Sequence, residues 1–269
     1  MAEIGGLYVE THGPRDGPAV VLSAGLGGSG AYWSPNLEAL SKRHRVVLYD
    51  HRGTARSDRR LPKDLSIDQM ADDVLALLDG LEIEAAHLVG HALGGLIGLA
   101  MALKAPERLT SLLAINAWAR LEAHTARCFE ARLALLRHAG VDAFIAATPL
   151  FLYPAPWMAA RPKRLAEEAK HQRMAFPGAP TTEARIAAVA ALDVKDRLAE
   201  IATPVLSLAA EDDILTPWTA AEALAKGLPN GRFLAMPRGG HACNVTEPER
   251  FNRIAQAWLA GEALPTFGS

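Results

Sequence analysis

The sequence predicts a doubly wound, mostly parallel α/β sheet carrying a helical lid insertion. Three observations carry that prediction. Short β-branched runs alternate with helical patterns through the first 120 residues and again after residue 200. The runs are almost continuously apolar, as strands covered on both faces must be. Between residues 119 and 200 the rhythm stops, and no strand pattern interrupts a long helical, proline-punctuated stretch.

Taken in order, Tyr8–Thr11 has the look of a strand in an opening hairpin. Ala19–Ser23 and Arg45–Tyr49 follow as parallel-sheet strands. Ser66-Ile67-Asp68-Gln69 is a capping box, in which serine and glutamine satisfy the free amide groups of a helix start. Ile67, Met70, Val74, Leu77, Leu78 and Leu81 then keep helical spacing. Ala86–Val89 and Leu109–Asn116 are expected strands, with an apolar helix over 96–103 between them. Strands at 204–208 and 232–236 complete the sheet. A closing helix starts near Thr246 and Glu249 and presents Phe251, Ile254, Trp258 and Leu259 on one face. The expected division is a core of residues 1–118 and 201–269 under a lid of 119–200.

Bulk properties exclude several classes. The chain has 269 residues, 28 basic and 30 acidic side chains and a formal net charge of -2. A chain so balanced lacks the positive field that draws nucleic acid or an anionic membrane. Its start has no basic segment leading into an apolar run, and no stretch approaches the ~20 apolar residues of a membrane span. The two cysteines, Cys128 and Cys243, are expected to be reduced thiols. A cytoplasmic protein acting on a small molecule is the expectation, with no metal or organic cofactor implied and a homodimer left open.

The chemistry is signalled at Gly90-His91-Ala92-Leu93-Gly94-Gly95. This is the form of a nucleophile elbow, G-x-S-x-G, in which small residues let a strand turn sharply into a helix and lift one side chain above the sheet. Here Ala92 occupies the nucleophile position. Downstream, Asp212 and Asp213 follow one strand and Gly239-Gly240-His241 follows the next. The order elbow, acid, histidine, each at a strand's carboxyl end, is that of a hydrolase site. Asp213 is the preferred acid because it stands four before Pro217, and Asp212 remains an alternative. Cys243, two residues past His241, is expected to pack rather than react. Gly25-Leu26-Gly27-Gly28-Ser29-Gly30 also satisfies G-x-G-x-x-G, with Asp50 ending the next strand, so a nicotinamide-dependent oxidoreductase competes. In the hydrolase reading the Leu26 and Leu93 N–H groups instead form an oxyanion hole. Asn116, Trp118, Arg120, Tyr153 and Trp157 are candidate substrate contacts, with Arg120 the expected partner for a carboxylate.

The elbow, Asp50-His51-Arg52-Gly53-Thr54, the lid and the Asp213/His241 pair resemble the α/β-hydrolase fold superfamily over nearly the full length. Ser23–Gly30, Phe151-Leu152-Tyr153-Pro154, Trp157-Met158-Ala159-Ala160 and Gly239–Thr246 narrow the resemblance. They are similar to hydrolases of pyrimidine degradation that act on 3-aminoacrylate or carbamate. The resemblance implies that alanine at the elbow is a trait of this group. A fragile substrate fits both the resemblance and the missing nucleophile, and the expected mechanism is direct attack by water, with His241 as general base oriented by Asp213. A non-catalytic protein that binds a small acid is the alternative class.

Overall fold

The computed structural model describes residues 2–266. An antiparallel pair, β1 (Ala2–Ile4) and β2 (Leu7–His12), leads into β3 (Ala19–Ser23). Helix α1 (Ser34–Ser41), strand β4 (Arg45–Tyr49), helix α2 (Ile67–Gly80), strand β5 (Ala86–His91), helix α3 (Leu93–Lys104) and strand β6 (Leu109–Ile115) follow. The described sheet has eight strands in the order β1-β2-β4-β3-β5-β6-β7-β8, β7 being Val205–Ala210 and β8 Gly231–Met236. From β4 to β8 every pairing is parallel, while β2 runs antiparallel to β4.

The apolar character of the strands has a direct cause. Successive side chains point to opposite faces of a strand, and here both faces are covered. Val21, Val47, Leu88 and Leu112 pack with α2 and α3 through Met70, Val74, Leu77 and Leu96. Their neighbours Val20, Val46, Val89 and Leu113 pack on the other side with Trp33, Leu40, Phe251 and Ile254. The expected spans of β3 and β4 are met to the residue, and α2 begins at the Ser66/Gln69 capping box with both reciprocal bonds formed.

Between β6 and β7 the chain is helical. It comprises α4 (Ala123–Ala134), a π turn at Leu135–Ala139, α5 (Gly140–Leu152), α6 (Ala155–Ala159), α7 (Pro162–Met174) and α8 (Ala179–Ala191). Its two ends are joined at the base, where Arg120 and Asp193 form an isolated bridge and the Val194 N–H donates to the Ala119 carbonyl (2.9 Å). The returning 3-10 segment Lys195–Glu200 buries Leu198 against Gly227 of α9 (Trp218–Gly227). The helical run Ala123–Leu152 is long and apolar enough, by length and composition, to cross a membrane. It is not one straight rod, because Gly140 turns the chain at φ 86 and Phe144 and Ile145 are buried within the helical layer.

The short helix α10 (Cys243–Thr246) and α11 (Pro248–Leu259) close the chain. Thr246 does not cap α11 as its sequence position suggests. Its hydroxyl donates to the Gly239 carbonyl at 2.6 Å, and so ties down the loop that carries His241.

Candidate active site

Parallel register brings five loops to one edge of the sheet. Ser23 lies beside Gly90, Gly90 beside Ala114, and Ala210 beside Met236, so the segments after β3, β5, β6, β7 and β8 all emerge together. The carboxyl edge of an open α/β sheet is where such folds place their sites.

The elbow between β5 and α3 is built on close backbone approach. A Cβ on Gly90 would lie 2.3 Å from the Gly94 carbonyl, and one on Gly94 would lie 2.1 Å from the Ser23 carbonyl oxygen. Neither glycine can therefore carry a side chain without moving backbone. Ala92 itself sits at φ 46, ψ -108, a conformation that costs of order 1–3 kcal/mol for a residue with a Cβ and is held only by its surroundings. Those surroundings include the Ala92 N–H donating to the Ile115 carbonyl (2.7 Å). The turn presents the Ala92 methyl to a cavity of about 490 Å³ between sheet and lid.

His241 lines the same cavity. Its Nδ1 lies 2.8 Å from Asp213 Oδ2, and the two side chains are 4% and 0% exposed. The other Asp213 oxygen accepts the backbone N–H groups of Leu215 (2.7 Å) and Thr216 (3.0 Å). These donors aim the carboxylate at the imidazole. With Nδ1 facing that carboxylate, Nε2 is the ring nitrogen left to handle a proton in the cavity. Asp212, the alternative acid, is engaged elsewhere: its Oδ1 accepts the Gly240 N–H at 2.7 Å.

Leu26 and Leu93 also line the cavity. Leu93 opens α3, and the first amide groups of a helix have no partner within it. Leu26 lies in a turn closed by the Gly28 N–H donating to the Gly25 carbonyl (3.0 Å). That turn is clamped from the lid. Arg185 of α8, fully buried, donates from Nη1 to the Leu26 carbonyl (3.0 Å) and from Nη2 to the Arg52 carbonyl (2.8 Å) and the Thr54 hydroxyl. Gly28, at φ 71, is the residue that makes room, since its Cβ would meet Arg185 Nη1 at 2.6 Å.

The same contacts account for the glycine-rich segment without a dinucleotide. Asp50 is fully buried, and its carboxylate receives the Gly30 N–H (2.8 Å), the Ser29 hydroxyl (3.3 Å) and Arg56 Nε (2.7 Å). The acid that a nicotinamide ribose would require is thus occupied in folding the loop.

Of the five candidate substrate contacts, Trp118 and Tyr153 line the cavity and three do not. Asn116, at φ 50 and fully buried, donates from Nδ2 to the His241 carbonyl at 2.5 Å. It fixes the histidine's backbone instead of meeting a substrate. Arg120 lies at the base of the lid, half-exposed and 3.6 Å from Asp193, because the strand-like bridge there turns it outward. Trp157 packs against Tyr153 with ring centroids 4.6 Å apart, and the Arg161 and Arg164 guanidinium groups lie 4.7 and 5.0 Å from its ring centroid. Cys243 is fully buried and does not line the cavity, and burial, followed by the nearby Asp213 charge, pushes its thiol pKa up. A thiolate nucleophile is disfavoured there.

Three contributors were not among the expected residues. His91, the variable position of the elbow, lies 2.8 Å through Nε2 from the His241 carbonyl and stacks on Tyr32 at 4.9 Å. Burial, then the neighbouring His241, pushes its pKa down to about 3, so it stays neutral and uncharged beside the catalytic candidate. Arg185 and Arg132 are the other two. Both interrupt apolar stripes at helical spacing, Thr125-Phe129-Arg132-Leu136 in one case and Thr181-Thr182-Arg185-Ile186-Val189 in the other. A cation on a buried stripe was the available signal.

An elbow and an Asp–His pair around one lidded cavity, with Leu26 and Leu93 in its lining, define a hydrolase architecture. The chain belongs to the α/β hydrolase fold family, whose model matches residues 18–248. Over nearly its whole length it closely resembles the RutD proteins. It is 49% identical to "Putative carbamate hydrolase RutD" of Variovorax paradoxus, over 96% of this chain and 98% of that one. The RutD protein of Agrobacterium fabrum is 48% identical, over 95% and 99%. Among solved structures, the enol-lactonase of Burkholderia xenovorans superposes with a TM-score of 0.86 at 27% identity, covering 96% of this chain and 99% of that one.

Proposed function

We propose that the protein is a hydrolase of pyrimidine catabolism that accelerates the breakdown of a labile small C–N compound. The reaction is 3-aminoacrylate to malonic semialdehyde and ammonia, or carbamate to ammonia and carbon dioxide. The observation that carries this reading is the Asp213–His241 pair facing a cavity in which the nucleophile position is a methyl group. The names borne by the RutD relatives support the carbamate arm directly.

The energetics support a fragile substrate. Loss of the serine from a triad costs ~10⁶ in kcat, while an oxyanion hole and binding alone retain ~10³–10⁴ over water. That residue of catalysis is too little for a stable amide and ample for a molecule that already decays. In the proposed step a water beside Ala92 attacks the imine tautomer of 3-aminoacrylate at C3. His241 Nε2 takes the water's proton, an effect worth ~10²–10⁴. The Leu26 and Leu93 N–H groups face the oxygen that water delivers to C3, where negative charge develops as the carbinolamine collapses. His241 returns the water's proton to the imine nitrogen, giving the neutral carbinolamine. It then takes the carbinolamine hydroxyl proton and passes it to the nitrogen as the C–N bond breaks, releasing malonic semialdehyde and ammonia.

The test is ammonia release from freshly generated 3-aminoacrylate, and separately from carbamate, with and without protein. Faster release in either case is the expected result. Saturable binding with release at the spontaneous rate in both would overturn the hydrolase reading in favour of a small-acid binding protein.

A further inference from the structure

Among the described residues, the cavity holds one cation whose side chain has no hydrogen-bonding or ionic partner. Of the arginines that line it, Arg164 is bound to Glu168 (2.8 Å), whose other oxygen accepts the Tyr153 hydroxyl (3.0 Å). Arg132, on α4, is different. It is 6% exposed, its Nε is buried without a partner, and its guanidinium has no hydrogen bond or ion pair among the described residues. It lies over two aromatic faces, Phe144 with the ring centroid 5.2 Å away and Phe151 at 5.6 Å, and near the Cys128 thiol one turn back on the same helix, which is no counter-charge.

Such an arrangement is costly. An arginine stays charged in a folded protein, and a buried charge without a counter-charge destabilises the state that holds it. Aromatic faces offset only part of that cost. Arg185 shows how this protein otherwise treats a buried guanidinium, by giving it two carbonyls and a hydroxyl. Arg132 receives nothing comparable, yet it shares a cavity with Ala92 and His241. Two further residues lining that cavity, Trp118 and Thr216, carry buried donors that also lack a protein partner. A planar guanidinium fork matches a carboxylate through two parallel N–H···O bonds.

We propose that Arg132 is the specificity-determining residue that anchors the substrate's carboxylate. The inference rests on the hydrolase reading and narrows it. The substrate class is a small acid whose breaking C–N bond lies outside the carboxylate. The anionic end then sits on Arg132 while the reacting carbon faces His241. A carbamate offers a single carboxylate that is itself the reacting centre, and cannot satisfy both ends. Arg120, the cation expected from the sequence, is replaced in this role by a residue 12 positions on, at the buried end of the next helix.

The test uses binding and stability alongside turnover. Acrylate and propionate are titrated against the intact protein and against Arg132→Met and Arg132→Lys by calorimetry and thermal unfolding. Both acids are expected to raise the melting temperature of the unaltered protein and to bind Arg132→Met about 10- to 100-fold more weakly, with Arg132→Lys between. Without ligand, Arg132→Met is expected to unfold at the same temperature or higher, because an unpaired buried charge has been removed. KM for 3-aminoacrylate is expected to rise in the same proportion. Equal affinity of the two forms for both acids would overturn the assignment. So would a lower melting temperature of ligand-free Arg132→Met, which would mark a structural role. A protein that binds the acids through Arg132 but releases no ammonia would leave this assignment standing and defeat the hydrolase reading instead.

Discussion

Replacing Ala92 with serine tests whether the site is a triad lacking only its nucleophile. The elbow already holds residue 92 at φ 46, so the change adds one oxygen to an existing Cβ and introduces no new backbone strain. That oxygen enters a cavity of about 490 Å³, so overpacking is not expected. The imidazole is held at 2.8 Å from Asp213, helix α3 begins directly after residue 92, and Leu26 and Leu93, the proposed oxyanion donors, line the same cavity. Removing the serine from a working triad lowers kcat by ~10⁶, equivalent to about 8 kcal/mol of barrier. A site not tuned for esters will recover part of this, and we set the expected gain in nitrophenyl acetate turnover at ~10³ or more. The same oxygen takes the position of the proposed water, so ammonia release from 3-aminoacrylate is expected to fall by ~10-fold or more. Ester turnover and intact mass, read on the same preparation, check both expectations, with an acetyl adduct at residue 92 as the direct product. A folded Ala92→Ser protein that neither turns over the ester nor acquires the adduct would refute the claim that His241 is aimed at position 92.

Two further outcomes follow from buried polar groups. Arg185→Met leaves the Leu26 and Arg52 carbonyls without their donor and is expected to lower unfolding stability by about 2–4 kcal/mol, measured by urea denaturation. An unchanged midpoint would mean that the lid does not clamp the Leu26 turn. The second concerns pH. His91 has its pKa held down to about 3 in the folded chain, below its unfolded value, so the unfolded state binds the extra proton between those values. Stability is therefore present above pH ~6.5 and is lost as pH falls, by about 2 kcal/mol from this residue between pH 7 and pH 5. His51 and His87, whose burial also lowers their pKa values, add in the same direction. Urea midpoints at pH 7 and 5 check this for the native chain and for His91→Gln, in which the pH effect should shrink.

Legibility in the sequence followed the physics of each feature. Strands such as Val20–Leu22 and Val46–Leu48 were plain because burial on both faces demands an unbroken apolar run. The elbow was equally plain, since the close approach of Gly90 and Gly94 to backbone forbids other residues. The acid was ambiguous because two adjacent aspartates have the same chemistry. Only the turn that gives Asp213 two backbone donors and assigns Asp212 to Gly240 separates them. Substrate contacts were the least readable. Arg120 and Asn116 lie close to a strand end, yet one bridges the base of the lid and the other holds the His241 carbonyl. Arg132 lies on the first helix of the insertion, and its place over the cavity depends on how the lid helices pack.

The most direct measurement is ammonia release from 3-aminoacrylate by His241→Ala beside the native protein, both shown folded and both still binding acrylate. The account predicts a native rate well above the spontaneous one and a variant rate that falls back to it. A variant that keeps the native rate would contradict the role given to His241 and with it the proposed chemistry.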